Sequence, residues 1–312
     1  MTVSRVLNRP ELVAPATRRR VQQIIDRTGY VPNLLAGGLA SSRSRLVAAI
    51  VPSITNGIFV ETIQALTDRL WQDGYQLMLG LAGYPALRED ALLSAVLGRR
   101  PDAVCLTGID HSADVRKRLL AARIPVVETW DLTPTPIDML VGFSHEAVGA
   151  AVARHVVAKA RRRPALVSAD DARALARKRG FTSELERLGQ PSPACVVFAA
   201  PSTLALGRQS MAAMLDRGDV PDVVFCSSDA LAHGVLEEAR ARGLDVPREV
   251  AIIGFGGLEF TRHTSPALST VEVDRAAIGR LAAEAILARL AGQEPPSRIT
   301  DVGFAIVDRE TT

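Results

Sequence analysis

The chain has 312 residues, 47% apolar and 23% charged, with a net charge of +3. That is ordinary globular composition, long enough for two domains or for one large domain with a small appendage. It contains no run of about 18 uninterrupted apolar residues and no secretory pattern at its start, so a cytoplasmic protein without a membrane span is expected.

Cys105, Cys195 and Cys226 each lie in an apolar, β-branched run and are expected to be buried, reduced thiols. The charge is unevenly placed. Residues 1–45 hold eight arginines against Glu11 and Asp26, a net of +6, which leaves −3 for the remainder. A basic head on a mildly acidic body points to a polyanionic partner, although an Arg-rich solvated surface has the same signature.

The chain opens with "MTVSRVLN", in which Val3, Val6 and Leu7 share one face of a short helix and Thr2, Ser4, Arg5 and Asn8 take the other flanks. A helix this short is unstable alone in water. Pro15 and Thr17 open a second helix, whose apolar residues are Val21, Ile24 and Ile25, and Gly29 closes it. "LLAGGLASSRSR" then reads as a linker.

From Leu46 the pattern changes. "LVAAIVPS", "YQLMLGL", "DAVCLT", "IPVVET", "DMLVGF", "PALVSA", "ACVVFA", "DVVFCSS" and "VAIIGFG" are strand-length apolar runs, most of them separated by amphipathic helical segments. Continuous apolar strands alternating with helices predict parallel sheets covered on both faces. Two similar halves accommodate them better than one sheet. A Pro-containing crossover before the helix at 275–291 would let the chain return to the first half.

In such sheets ligands sit at the carboxyl ends of strands. Those ends carry Ser53, Thr55 and Asn56, Glu128 and Trp130, Ser228 and Asp229, and Gly256 and Gly257, which suits a cleft for a small polar ligand. No catalytic constellation emerges. The five histidines lack metal-ligand spacing, and neither a G-x-S-x-G elbow nor a P-loop is present. "GFGG" reads as a tight turn, and Asp170–Asp171 as the cap of the following helix. Neither an enzyme nor a cofactor or metal site is expected.

"TVSRVLN", "VAPATRRRVQQIIDRTGYVPNLLAGGLAS" and "RLVAAIVPSITNGIFVETIQAL", with T-V-S-R-x-x-N, G-Y-x-P-N and S-D-x-x-A-x-G in that order, resemble the LacI/GalR transcriptional repressors over essentially the whole chain. "PSITNGIF", "DGYQLMLG", "IPVVETWD" and "PIDMLVGF" resemble the gluconate-operon repressors within that family. The resemblance implies an α/β fold, with a two-lobed periplasmic-binding-protein-like core of two doubly wound parallel sheets. An incomplete helical DNA-binding headpiece precedes it. The implied boundaries are residues 1–33 for the headpiece and 34–45 for the hinge, with 46–158 and 273–300 forming the N-terminal lobe. Residues 159–272 and 301–312 form the C-terminal lobe.

It also implies that "TVSRVLN" lies in the recognition helix of a helix-turn-helix, with the first helix of that motif missing. Either the natural chain starts upstream of Met1 or this polypeptide is truncated. Carried over position by position, Arg5 would pair with a base edge, and Thr2, Ser4, Thr17, Tyr30 and Asn33 would contact phosphates. In the hinge, Leu39 would wedge into the minor groove beside Ala36. Gly37 and Gly38 depart from the family and predict a hinge that is looser without DNA.

For the effector, the resemblance implies Ser53, Asn56, Phe59, Glu128, Trp130, Arg177, Ser228 and Asp229. Arg177 would grip a carboxylate with two parallel hydrogen bonds, unless it is merely an exposed member of a basic run. Trp130 would stack on a sugar face or fill the core, and Asp229 also reads as a helix cap. Gly256 stands where many sugar-binding members have an aspartate, which favours an acid such as gluconate over a neutral sugar. The expected partners are operator DNA, a sugar-acid effector and a second copy of the chain. The rival reading is a two-lobed solute sensor without a DNA role.

Overall fold

The computed structural model describes residues 3, 5, 6, 10–30, 43–55, 57–84 and 86–312, which form two units, Met1–Ser44 and Arg45–Thr312. Thr2, Ser4, Leu7, Asn8, Asn33, Ala36, Gly37, Gly38, Leu39 and Asn56 lie outside the described residues.

In the first unit Val3, Arg5 and Val6 are helical, and Val6 is buried whereas Val3 and Arg5 are exposed. A 3-10 turn at Pro10–Leu12 leads to helix α1, Pro15–Thr28. Proline at its start and Gly29 at its end in the left-handed region, with φ 62°, bound the helix as the sequence predicts. The cap residue is Ala14, which has no side-chain acceptor, so the helix start lacks a side-chain cap. Thr17, Arg18, Arg19 and Arg20 are exposed along it.

The second unit contains two six-stranded sheets. In chain order its elements begin with β1 (Leu46–Val51), α2 (Val60–Gln72), β2 (Gln76–Leu81), α3 (Ala86–Leu97), β3 (Ala103–Thr107), α4 (Ala113–Ala122), β4 (Val126–Thr129) and β5 (Met139–Gly142). There follow α5 (His145–Ala158), β6 (Pro164–Ala169), α6 (Ala172–Arg187), β7 (Ala194–Phe198), α7 (Leu204–Asp216), β8 (Val223–Cys226), α8 (Asp229–Ala241) and β9 (Ala251–Gly256). The last are β10 (Ser269–Glu272), α9 (Arg275–Leu290), β11 (Ile299–Asp301) and β12 (Ala305–Val307). The first sheet has the order β11-β5-β4-β3-β1-β2 and the second β12-β10-β9-β8-β6-β7. All pairings are parallel except β10 with β12.

The interior strands are buried along their length because helices cover both faces, which is why their sequences run apolar without alternation. β2 and β7 are edge strands. There Leu79 and Leu81 are exposed, and so is Cys195, which corrects the expectation that all three thiols are buried. Only Cys105 and Cys226 lie inside.

Helix pairs close on glycine. α5 and α6 meet through Gly149 and Gly180, α7 and α8 through Gly207 and Gly234, and α2 and α9 through Gly279. A Cβ at Gly149 would lie 2.6 Å from Phe181 N, and closer still to Arg177 O. Helix α5 therefore packs on α6 of the second sheet, whereas the sequence reading put it with the first lobe. The chain passes between the sheets at residues 143–145, 273–275 and 302–304.

Candidate effector cleft

The carboxyl ends of strands from both sheets open onto one cavity of about 730 Å³, within the range of small-molecule sites. Ser53 and Thr55 follow β1, Tyr84 follows β2, Asp110 and His111 follow β3, and Asp131 follows β4. Across from them Asp170, Asp171 and Arg173 follow β6, and Ala200 follows β7. Ser53 Oγ is 2.7 Å from Thr55 Oγ1 and accepts from Thr55 N at 3.1 Å, a local turn that shapes the rim.

The turn after β4 needs one unusual backbone position and one close approach. Trp130 adopts φ 67°, rare for a side chain of that size, and swings Asp131 over Gly142. A Cβ at Gly142 would occupy the space of the Asp131 backbone. Asp131 Oδ1 accepts from Leu132 N at 2.8 Å. Burial raises the Asp131 carboxyl above its usual range, against the pull of Arg173 and Arg177.

Arg173 and Arg177 lie one turn apart on α6. Arg173 crosses toward the first sheet, with its guanidinium 5.5 Å from the Phe59 ring centroid. Gly108 makes room for it, since a Cβ there would be 2.9 Å from Arg173 Nη1. Arg177 is not a surface member of a basic run. It is 5% exposed, and its guanidinium lies 3.9 Å over the Phe255 ring. Its Nη1 bonds His145 Nδ1 at 2.8 Å, and its Nη2 donates to Ser227 O at 2.9 Å. Its Nε is buried and has no partner among the described residues. Burial lowers the Arg177 pKa to about 10, so it stays a cation at neutral pH.

The other expected effector residues have structural partners. Trp130 is 1% exposed, edge-on to Phe59 at 5.0 Å and to Phe143 at 5.9 Å, and its Nε1 donates to Thr62 Oγ1 at 3.2 Å. Of the two roles open to it, the ring takes the core. Phe59 is buried beside it.

Glu128 is fully buried behind His111. Its Oε2 accepts from Ile137 N at 2.6 Å, and its Oε1 lies 3.7 Å from both His111 Nε2 and Arg116 Nη1. Burial raises its pKa. Burial also works against charging His111, but Glu89 at 3.0 Å and Glu128 outweigh it and hold His111 above the usual value.

Ser228, not Asp229, caps α8, accepting from Leu231 N at 3.3 Å. Asp229 instead ties three elements together. It accepts from Thr270 Oγ1 at 2.6 Å and from Leu258 N at 2.8 Å, and burial raises its pKa to about 6. Gly254 and Gly256 leave space for that carboxylate.

Asp110, Asp131, Arg173 and His111 were absent from the expected set. The signal for Arg173 was its i, i+4 relation to Arg177. For Asp131 it was the place directly after a strand end. Asp171 does cap α6, accepting from Ala174 N at 3.2 Å, and it lines the cleft as well.

Two mostly parallel sheets joined by repeated chain passes, with a cleft furnished with charged side chains at their strand ends, define a two-lobed sensor core of the periplasmic-binding-protein type. Residues 140–312 match the periplasmic binding protein-like domain, and residues 1–33 match the lacI family of bacterial regulatory proteins. The chain belongs to the LacI family of DNA-binding transcriptional regulators.

It is 36% identical to the HTH-type transcriptional regulator GntR of Pseudomonas aeruginosa, over 100% of this chain and 92% of that one. A LacI-family transcriptional regulator from Silicibacter pomeroyi has a similar structure, with a TM-score of 0.94 and 35% identity over 100% of this chain and 95% of that one. The transcription regulator GntR from Chromobacterium violaceum matches with a TM-score of 0.82 and 34% identity, over 85% of this chain and 98% of that one. No helix among the described residues is long and apolar enough to cross a membrane.

Proposed function

We propose that the protein is a homodimeric cytoplasmic repressor of a sugar-acid operon, released from operator DNA when gluconate or a close relative binds between the lobes. The observation that carries this reading is Arg177, a buried cation with an unpartnered Nε, one helical turn from Arg173, which lines the cleft. The cleft's lining suits such a ligand. Glu89, Asp110, Asp131, Asp170 and Asp171 outnumber Arg88 and Arg173 there. Many acceptors with few cations favour a molecule of many hydroxyls and one carboxylate over a multiply charged anion. In this reading Arg177, Arg173, Ser53 and Asp131 hold the effector, while Phe59, Trp130, Glu128, Ser228 and Asp229 build the walls behind them.

On the DNA side, Arg5 reads a base edge, and Thr17 and Tyr30 meet phosphates together with Thr2, Ser4 and Asn33. Ala36 and Leu39 enter the minor groove from the hinge. Exposed Arg5, Thr17 and Tyr30 support these roles, as do the arginines along α1. The effector shifts the balance only by binding the released arrangement better than the bound one.

Calorimetric titration of the full chain with gluconate, glucose and glucitol tests the pocket. Heat from gluconate that is lost in Arg177→Gln supports it. Heat from glucose alone overturns the sugar-acid reading. In a gel-shift assay gluconate is expected to release operator DNA.

A further inference from the structure

We infer that His145 is the positioning residue that presents Arg177 to an anionic effector without neutralising it. This rests on the sugar-acid reading of the cleft. His145 begins α5, directly after the first passage between the sheets, and is 2% exposed. Its ring lies between Phe143, at 4.6 Å, and Phe255, at 5.8 Å.

Hydrogen-bond chemistry fixes its state from both ends. A guanidinium N–H only donates, so His145 Nδ1, 2.8 Å from Arg177 Nη1, must be the acceptor. The ring proton is then on Nε2, where Trp130 O waits at 2.8 Å as its acceptor. Burial, then the charges of Arg177 and Arg173, hold the imidazole well below its usual pKa and keep it neutral.

The chemistry of that acceptor matters. Arg177 is pinned by His145 Nδ1, by Ser227 O and by the face of Phe255, all of them uncharged. A carboxylate in place of the imidazole would form an ion pair with the guanidinium and spend the charge a ligand needs. Histidine supplies one directed lone pair, sets the plane of the guanidinium and leaves its charge intact. The His145–Arg177 pair also bridges the two sheets, because Trp130 follows β4 of the first while Ser227 follows β8 of the second. The same side chain that orients Arg177 therefore ties it to the turn that carries Asp131.

The test compares three variants of the full chain by calorimetry with gluconate and with glucitol, its neutral polyol counterpart. His145→Phe keeps the ring but removes both nitrogens. It is expected to weaken gluconate binding about ten- to a hundred-fold, with a much smaller change for glucitol. His145→Gln, which can both accept from Arg177 and donate to Trp130, is expected to restore the preference. His145→Glu is expected to abolish it. Gluconate affinity unchanged in His145→Phe, or gluconate and glucitol weakened equally, overturns the proposal.

Should His145→Phe not fold, nitrogen-15 NMR of the wild-type histidines decides. A neutral Nε2–H ring whose Nδ1 resonance shifts in Arg177→Gln supports the inference, and an Nδ1–H or doubly protonated ring refutes it. That spectrum needs no effector. Wild-type protein that is silent to every sugar acid would sink the reading of the cleft and leave the His145–Arg177 result standing by itself.

Discussion

Replacing Gly149 by alanine perturbs the crossing of α5 on α6 and, through it, Arg177. The added Cβ would stand 2.6 Å from Phe181 N and nearer still to the Arg177 carbonyl. Non-bonded heavy atoms prefer about 3.5–4.0 Å, so the two helices must part by roughly 1 Å. The obstructing atoms are backbone and cannot swing aside. Overpacking of this kind costs about 1–3 kcal/mol, and the rigid contact argues for about 3. Alanine returns about 1 kcal/mol through its better helix propensity. The net loss is about 2 kcal/mol, a fall in Tm of roughly 4–8 °C for a unit of this size. Thermal unfolding followed by circular dichroism measures it, and gluconate affinity should fall in parallel because the obstructed carbonyl belongs to Arg177. A Tm equal to or above that of the wild type would mean that helix propensity governs Gly149 and that the close approach is wrong.

Other consequences are as direct. The Asp229 carboxyl, raised to about 6, takes up a proton on folding between its ordinary value near 4 and 6. It therefore favours the folded state at acid pH, and that contribution fades as the pH rises through 6. Urea unfolding at pH 5 and pH 7.5 should show a flatter pH dependence in Asp229→Asn than in the wild type. Arg275 donates to both oxygens of Glu61, at 2.7 and 3.1 Å, and to Gly256 O, so Arg275→Ala should cost about 2 kcal/mol in denaturant titration. A thiol reagent should label Cys195 in the native protein and reach Cys105 and Cys226 only after unfolding, as mass spectrometry of peptides would show. Arg5→Ala should relax operator discrimination at one base pair by about 1–3 kcal/mol, whereas substituting the arginines of α1 should flatten the salt dependence of binding.

The architecture was legible in the sequence because doubly covered parallel strands leave a strong trace. "LVAAIV" and "AIIGFG" admit no solvent-facing residue. Edge strands carry less information, and Cys195 in "ACVVF" looks no different from a core cysteine until β7 proves to have only one neighbour.

Sequence position singled out Arg177 but not what surrounds it. Trp130, Phe59 and Glu128 sit at strand ends or helix starts yet are buried, and it is Asp131, directly after the left-handed backbone of Trp130, that lines the cavity. His145 follows a serine in "GFSHE" and gave no hint of its partner, since the contact spans 32 residues and depends on the packing of α5 upon α6. Contacts of that kind are set by helix crossings, and the glycines that permit them reveal their purpose only once the facing helix is known.

The path of the chain through its two sheets bears on how such a protein can be altered. Because β11 closes the first sheet and β12 the second, both lobes keep their final strand within the last 14 residues. No single cut frees either lobe as an unbroken stretch of polypeptide. A truncation of the tail removes an edge from both at once, so a graft between relatives must exchange everything from Leu46 onward or repair several seams together.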